Sequence, residues 1–303
     1  MYERILQAVT GTLWAIAPDK LDQMMAVLDL RVRGGHVDAG MIAEVAAAAR
    51  KDRAVRTTKQ VAVLPILGTL TQRADLMTES SGFASTESIG REFDRLIAEP
   101  SVASIVLDVD SPGGSVYGVR ELSDKIFAAR GTKRIVAVAN SYAASAAYYI
   151  ATAADELVVT PSGQVGSIGV VAVHLDASEL NAAMGIKPTY ITYGRYKAEF
   201  NEDEPLPDEA RAEAQRNVDV IGKQFDRDVA RNRGTTAAVV RSDFGQGRVY
   251  LAQEAVERGM ADKVGTLEET VQRLQEGTYR TNRRSVQAAR NRLALHKHLT
   301  FPR

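Results

Sequence analysis

The sequence predicts an α/β fold with crossover connections. Two observations carry this. From residue 61 onward, short β-branched and apolar runs alternate with longer stretches of helical periodicity. The chain is also ordinary globular material: 303 residues, 45% apolar and 25% charged, enough to bury a sizeable core. Strands joined through helices form parallel pairs, and those crossovers are right-handed by default.

The elements follow in order. Residues 1–50 read as helical, with Leu21, Met24, Met25 and Leu28 near helical spacing and a break at Gly34-Gly35. Residues 51–59 are basic and polar and read as a solvated hinge. Val61 to Leu67 is a buried-strand candidate in which Pro65 signals an edge or a bend. Residues 71–85 read as a loop, after which Thr86 is placed to cap a helix carrying Ile89, Phe93, Leu96 and Ile97. Ser104 to Val109 is a strand ending in a Pro-Gly-Gly turn, and Tyr117 to Ala129 a helix. Ile135 to Ala139 is a strand, Ala143 to Ala153 an Ala-rich helix, and Glu156 to Thr160 and Ile168 to Val173 two further strands. A short helix passes through Leu180 and Met184, Pro188 to Thr192 reads as a strand, and residues 208–233 as a long charged helix.

Composition narrows the function. Lys plus Arg equals Asp plus Glu at 38 each, so no global field draws the chain to nucleic acid or anionic lipid. Cysteine is absent, which removes disulfides, thiolate metal sites and cysteine nucleophiles. Only four histidines are present: His36, His174, His296 and His298. No metal or cofactor is expected. No apolar run reaches bilayer length. Ala15-Ile16-Ala17 mimics a signal-peptidase site, but Thr10, Gly11 and Thr12 dilute the apolar stretch before it, so a cytoplasmic protein is expected. Residues 278–303 hold seven Lys or Arg and no acid, which fits either a solvated tail or a docking arm for an acidic partner or nucleic acid.

Two segments carry chemistry. Asp110-Ser-Pro-Gly-Gly-Ser115 follows a strand end, where two glycines let the backbone approach a ligand closely. A plain β-turn accounts for the same residues. Asn140-Ser-Tyr-Ala-Ala-Ser-Ala-Ala147 joins a strand to a helix of very small residues. Ser145 falls at that helix start, where free amides can stabilise an oxyanion. An Ala-rich packing helix with an incidental serine is the plainer account. Together the segments give an acyl-transfer layout, with Gly113 or Gly114 offering one amide and Ala146 another. An extended peptide would run along the strand edge at Ser115 and Val116.

The serine needs a base. His174, 29 positions on, follows a separate strand and is poorly placed. A lysine is the alternative. Lys197 lies in Tyr193-Gly-Arg-Tyr-Lys-Ala-Glu-Phe200, whose aromatic residues could line a dry pocket, although any single lysine is ordinarily a surface residue.

These motifs resemble the signal peptide peptidase A family of serine proteases, in the Clp protease/crotonase superfamily. The similarity runs over about residues 61–270. It includes Asp110-Ser-Pro-Gly-Gly114, the segment around Ser145, Gly166-Ser-Ile-Gly-Val170, Gly194-Arg-Tyr-Lys197, Gly247-Arg-Val-Tyr250 and Ala255-Val-Glu-Arg-Gly-Met-Ala-Asp262. The resemblance implies repeated β-β-α units at 60–275, flanked by a helical N-terminal extension and linker at 1–59 and a disordered basic tail at 276–303. It implies a Ser-Lys dyad: Ser145 as nucleophile, Lys197 as base 52 positions later, and Ser167 orienting the lysine. Gly113 and Gly114 match the oxyanion loop. Here Ala198-Glu199-Phe200 replaces the family's usual residues after the lysine. Short members form homo-oligomeric rings in which serine and lysine can come from neighbouring subunits.

Leu13-Trp-Ala-Ile-Ala-Pro-Asp-Lys-Leu21 resembles the opening of the phage and prophage branch, whose prohead proteases cut scaffold and capsid proteins. The implied role is head maturation in the host cytoplasm on protein substrates. A cellular signal-peptide-peptidase-like protease, a crotonase-like acyl-thioester enzyme that binds coenzyme A, and a non-catalytic ring or scaffold protein of the same fold remain alternatives.

Overall fold

The computed structural model describes residues 12–23, 25, 54–73 and 83–277. The strands are β1 (Trp14–Ile16), β2 (Arg56–Thr58), β3 (Val61–Leu67), β4 (Leu70–Thr71), β5 (Ala84–Ser85), β6 (Ser104–Ser111), β7 (Gly113–Ser115), β8 (Arg134–Ala144), β9 (Glu156–Val159), β10 (Gln164–Gly166), β11 (Val249–Leu251) and β12 (Lys263–Val264). The helices are α1 (Thr86–Ala98), α2 (Val119–Ala128), α3 (Ala146–Thr152), α4 (Ser178–Ala183), α5 (Asp208–Arg233), α6 (Ala237–Asp243), α7 (Ala252–Glu257) and α8 (Leu267–Gln275).

The main sheet runs β11-β10-β8-β6-β3-β2. Its centre, β3, β6 and β8, is parallel, with Val63, Val106 and Val136 in register. β9 flanks the first half of β8 and β10 the second. Both faces are covered, as a parallel sheet requires. Side chains alternate along each strand, so one set faces each layer. Leu64, Ile66, Ile105, Leu107 and Ile135 join the large core with Phe93 of α1 and Phe225 of α5. Val61, Val63, Val106, Val136 and Val138 face the other way, against Leu274 of α8. Among the described residues β2 pairs only with residues 61–63, so Pro65 sits on the part of the β3 edge beyond it, where its missing donor is tolerated.

A second, small sheet runs β1-β7-β4-β5. β7 lies between β1, antiparallel, and β4, parallel.

The long helix at 208–233 forms as expected. Several elements differ. Ser85, not Thr86, caps α1, its hydroxyl accepting from the Ser88 amide at 3.2 Å. Ala143 and Ala144 belong to β8, because Val165 and Gly166 of β10 pair with them; their helix propensity yields to the ladder, and α3 starts at Ala146. The expected helix from Tyr117 begins at Val119, after Gly118 turns with φ 78°. No strand forms over Ile168–Val173; only Val171 makes a bridge, to Trp14. Pro188–Thr192 is irregular and exposed. The N-terminal stretch expected to be helical holds β1, with a helical segment following over 18–23. Residues 26–53, and the basic tail from 278 on, lie outside the described residues. Among the described residues no helix is long and apolar enough to cross a membrane.

Candidate active site

Two paired strands and one turn assemble the predicted residues. Ala144 of β8 lies in register with Gly166 of β10, so Ser145 and Ser167, the next residues on each, leave the sheet side by side. The Ser145 amide donates to the Gly166 carbonyl at 2.7 Å, and the Ser167 amide to that of Arg248 at 2.7 Å. Both serines hold positive φ, 55° in each. L-residues avoid this region because Cβ crowds the backbone, and such strain persists where neighbouring structure fixes it.

Ser145 sits at the turn between β8 and α3, with φ 55° and ψ −119°. The strand-to-helix turn carries the hydroxyl away from the sheet and leaves the Ala146 amide in the first turn of α3, beyond reach of any helical carbonyl. Ser145 is 1% exposed, and its Oγ is buried with no hydrogen-bond partner among the described residues.

The Pro-Gly-Gly turn brings β7 against this point. Gly113 has φ 94°, and a Cβ placed on it would lie 2.2 Å from the Ala15 carbonyl oxygen and 3.0 Å from both the Ala144 oxygen and the Ala146 nitrogen. Only glycine fits there. A Cβ on Gly114 would lie 2.0 Å from the Leu70 carbonyl oxygen. The Gly113 amide donates to Ser111 Oγ at 3.2 Å. Ser115 is buried, its Oγ accepting from the Tyr117 amide at 3.3 Å. The Val116 amide donates to the Leu13 carbonyl at 3.1 Å. Ser145, Ser167, Gly113, Gly114 and Ala146 thus converge. Just upstream, burial raises the carboxyl of Asp108 despite the Asn140 amide donating to it at 3.0 Å. Burial, and then Asp108, raise that of Asp110.

Lys197 is not brought to this cluster within one chain. It is exposed, on an arm between β10 and α5 that also presents Ile191, 95% exposed, and the fully exposed Tyr193. Arg195 and Tyr196 bind Glu209 at 2.8 and 2.9 Å, which ties the arm to the N-terminal end of α5. The Ser145 helix is tied near the other end of α5: Tyr149 stacks on Phe225 at 4.5 Å and its hydroxyl donates to Asp228. Sixteen residues separate Glu209 from Phe225, about 24 Å along a helix. His174 also stays away from Ser145; its Nε2 bonds the Asn201 carbonyl at 2.7 Å and its ring meets Phe200 edge-on.

Three supports of α3 escaped sequence reasoning. Arg130 donates to the carbonyls of Thr152 at 2.8 Å, Ala153 at 2.8 Å and Ala154 at 2.5 Å, and to that of Asn232 at 3.1 Å. Cations suit helix C-termini. Burial pushes the Arg130 guanidinium down to about 10. The Tyr148 hydroxyl donates to the Met260 carbonyl at 2.8 Å. Burial raises the Tyr148 hydroxyl, and burial followed by the Asp228 contact raises that of Tyr149, so both stay protonated donors. The Tyr148 and Tyr149 partners lie roughly 80 to 110 positions away in sequence and those of Arg130 in α3 some 22 to 24, and no local signal points to any of them. Among the described residues, no group of three or more His, Asp or Glu could hold a metal ion.

Residues 128–279 match the model of peptidase family S49. The chain is 33% identical over 229 residues to the head-tail preconnector protein GP5 of Enterobacteria phage P21, covering 74% of this chain and 45% of that protein. It is 32% identical over 215 residues to the capsid assembly protease C of Escherichia phage lambda, covering 71% of this chain and 48% of that protein. The chain therefore spans about half the length of these relatives. Among solved structures, a ClpP1 mutant from Listeria monocytogenes aligns with a TM-score of 0.44 at 14% identity, over 70% of this chain and 94% of that one. With Ser145, Ser167 and Lys197 all inside a family match that spans half its length, the chain belongs to peptidase family S49.

Proposed function

We propose that the chain is a serine endopeptidase working through a Ser-Lys dyad, with Ser145 as nucleophile and Lys197 as base. The observation that carries this reading is Ser145 itself: a buried hydroxyl on a strained strand-to-helix turn, unpartnered among the described residues. Folding does not gain from such a group, whereas a nucleophile awaiting substrate and base requires it. Lys197, exposed on its arm, reaches Ser145 of a neighbouring subunit, so the site completes on assembly of a homo-oligomeric ring.

In the proposed reaction, neutral Lys197 Nζ takes the proton from Ser145 Oγ as the oxygen attacks the peptide carbonyl. The amides of Ala146 and of Gly113 or Gly114 hold the oxyanion. The C–N bond breaks as Lys197 returns its proton to the leaving amine. Water, deprotonated by the same lysine, then attacks the acyl carbon, and as the C–Oγ bond breaks the lysine returns that proton to Ser145 Oγ. Ser167 orients the lysine. Two relatives are phage proteins, one named for capsid assembly, which supports head maturation in the host cytoplasm, with scaffold or capsid proteins as substrates.

The test uses cleavage of casein at pH 8. Ser145→Ala and Lys197→Ala should each be inactive. Mixed in equal amounts and reassembled, they should recover about a quarter of wild-type activity, because one in four contacts pairs an intact serine with an intact lysine. No recovery, with assembly intact, rejects the shared site. Full activity of Lys197→Ala rejects the dyad.

A further inference from the structure

The strand edge expected to receive substrate is occupied by the chain itself. β1 pairs antiparallel with β7, Trp14 opposite Ser115, Ala15 opposite Gly114 and Ile16 opposite Gly113. Its other edge is held too: the Trp14 amide donates to the Val171 carbonyl at 2.9 Å and the Val171 amide to the Trp14 carbonyl at 2.8 Å. The segment is thus clamped between the glycine strand and the stretch after Ser167, as an added strand is in peptide recognition. All four residues from Trp14 to Ala17 are buried, none above 6% exposed.

The position is the one the proposed reading gives to substrate. The Ala15 carbonyl oxygen and the Ala146 amide border the same small space beside Gly113. The Ala17 carbonyl, by contrast, accepts from the Lys20 and Leu21 amides at 3.0 and 3.2 Å, and the chain turns into a helical segment at Pro18. The segment enters the cleft, brings the Ala15 carbonyl against Gly113, and leaves.

We infer that residues 13–17 are a built-in occupant of the substrate cleft, and that they report its ligand class. That class is an extended peptide pairing antiparallel with Gly113–Ser115, carrying an alanine-sized side chain at the Ala15 position and bulky apolar ones at the Trp14 and Ile16 positions. The glycines leave room for backbone but not for bulk, which explains the small residue between two large ones. Substrate binds after the segment leaves. Its catalytic consequence rests on the peptidase reading above; its binding consequence does not.

The chain lacks cysteine, so the double variant Trp14→Cys/Val171→Cys carries the only two thiols. Directly paired antiparallel residues have Cα atoms about 5.5 Å apart at most, within disulfide range. Oxidation locks the segment in and reduction frees it. A fluorescein-labelled Leu-Trp-Ala-Ile-Ala peptide, followed by anisotropy, should bind the reduced protein at least tenfold more tightly than the oxidised one. A fluorophosphonate should label Ser145 faster in the reduced state by a similar factor. Equal peptide binding in both states, or binding in neither, overturns the inference. Redox-dependent peptide binding with no labelling in either state keeps the occupied cleft and rejects the serine nucleophile instead. Wild type supplies a variant-free check: saturating unlabelled peptide should accelerate hydrogen exchange at the Trp14 amide several-fold, and unchanged exchange counts against displacement.

Discussion

Removing the Ser145 hydroxyl should make the protein more stable while ending catalysis. In Ser145→Ala, Cβ and the backbone remain, and only a buried oxygen without a partner is lost. Burying such a group costs about 1–3 kcal/mol, so the alanine should gain about 1–2 kcal/mol. For a domain of this size, each kcal/mol moves the melting temperature by about 2–4 °C, predicting a rise of about 2–8 °C. Ser145→Gly adds a second gain, because φ 55° with ψ −119° costs an L-residue about 1–3 kcal/mol and glycine almost nothing. Glycine's unfolded-state entropy returns about 0.5–1 kcal/mol of that, so the glycine variant should match or exceed the alanine one. The assay is thermal unfolding followed by circular dichroism at high dilution, repeated in a Lys197→Ala background so that no lysine reaches the hydroxyl from a neighbour. A lower melting temperature for Ser145→Ala in that background would refute the reasoning, since the hydroxyl would then be making a bond that holds the fold.

Two other perturbations test the scaffold around it. Gly114→Ala places a methyl 2.0 Å from the Leu70 oxygen and 2.5 Å from its nitrogen, both backbone atoms, so β7 and β4 must separate. A loss of about 3 kcal/mol in urea unfolding is expected, together with loss of casein cleavage; an unchanged midpoint would show that the close approach is not required. Glu156 binds Arg134 at 2.6 Å, Arg273 at 2.9 Å and Lys263 at 3.0 Å. Burial raises its carboxyl, but Lys263 and Arg273 outweigh burial and hold it below the ordinary carboxylate range. A lowered carboxyl stabilises the fold at pH values above the ordinary range, and that stability disappears as pH falls through the lowered value. Glu156→Gln should therefore cost about 3 kcal/mol at pH 7 and progressively less in acid as wild type protonates. A gap that stays constant down to about pH 3 would show that ionised Glu156 is not what the network holds.

Much of the main sheet was legible because its signal is local. β3, β6 and β8 are apolar on both faces, and runs such as Ile105-Val106-Leu107 state that directly. The convergence of the Gly-Gly turn with Ser145 was legible for the same reason, since each lies at the end of such a run. Elements whose partners are distant were not. Val171 has its bridging partner in Trp14, so the apolar run at 168–173 suggested a sheet strand it does not form. Ile191 and Tyr193 look like strand residues but are exposed among the described residues. Ala143 and Ala144 favour helix locally and are overruled by β10. β1 is three residues long, too short for periodicity to register; its residues were legible as a mimic of a signal-peptidase site and as part of a phage-branch opening, but not as a strand.

The long helix α5 has a further consequence. One of its ends carries the arm with Lys197, and the other braces the subunit's own Ser145. On the proposed reading, every protomer therefore gives a base in one direction and receives one from the other. A head-to-tail contact of this kind makes filaments or closed circles. In any unclosed row, the first subunit holds an idle serine and the last an idle lysine, so a row of n protomers has n − 1 working sites. Activity per subunit then climbs with row length and reaches its ceiling only when the circle shuts. Such an enzyme would register, in its own turnover, whether its assembly is finished.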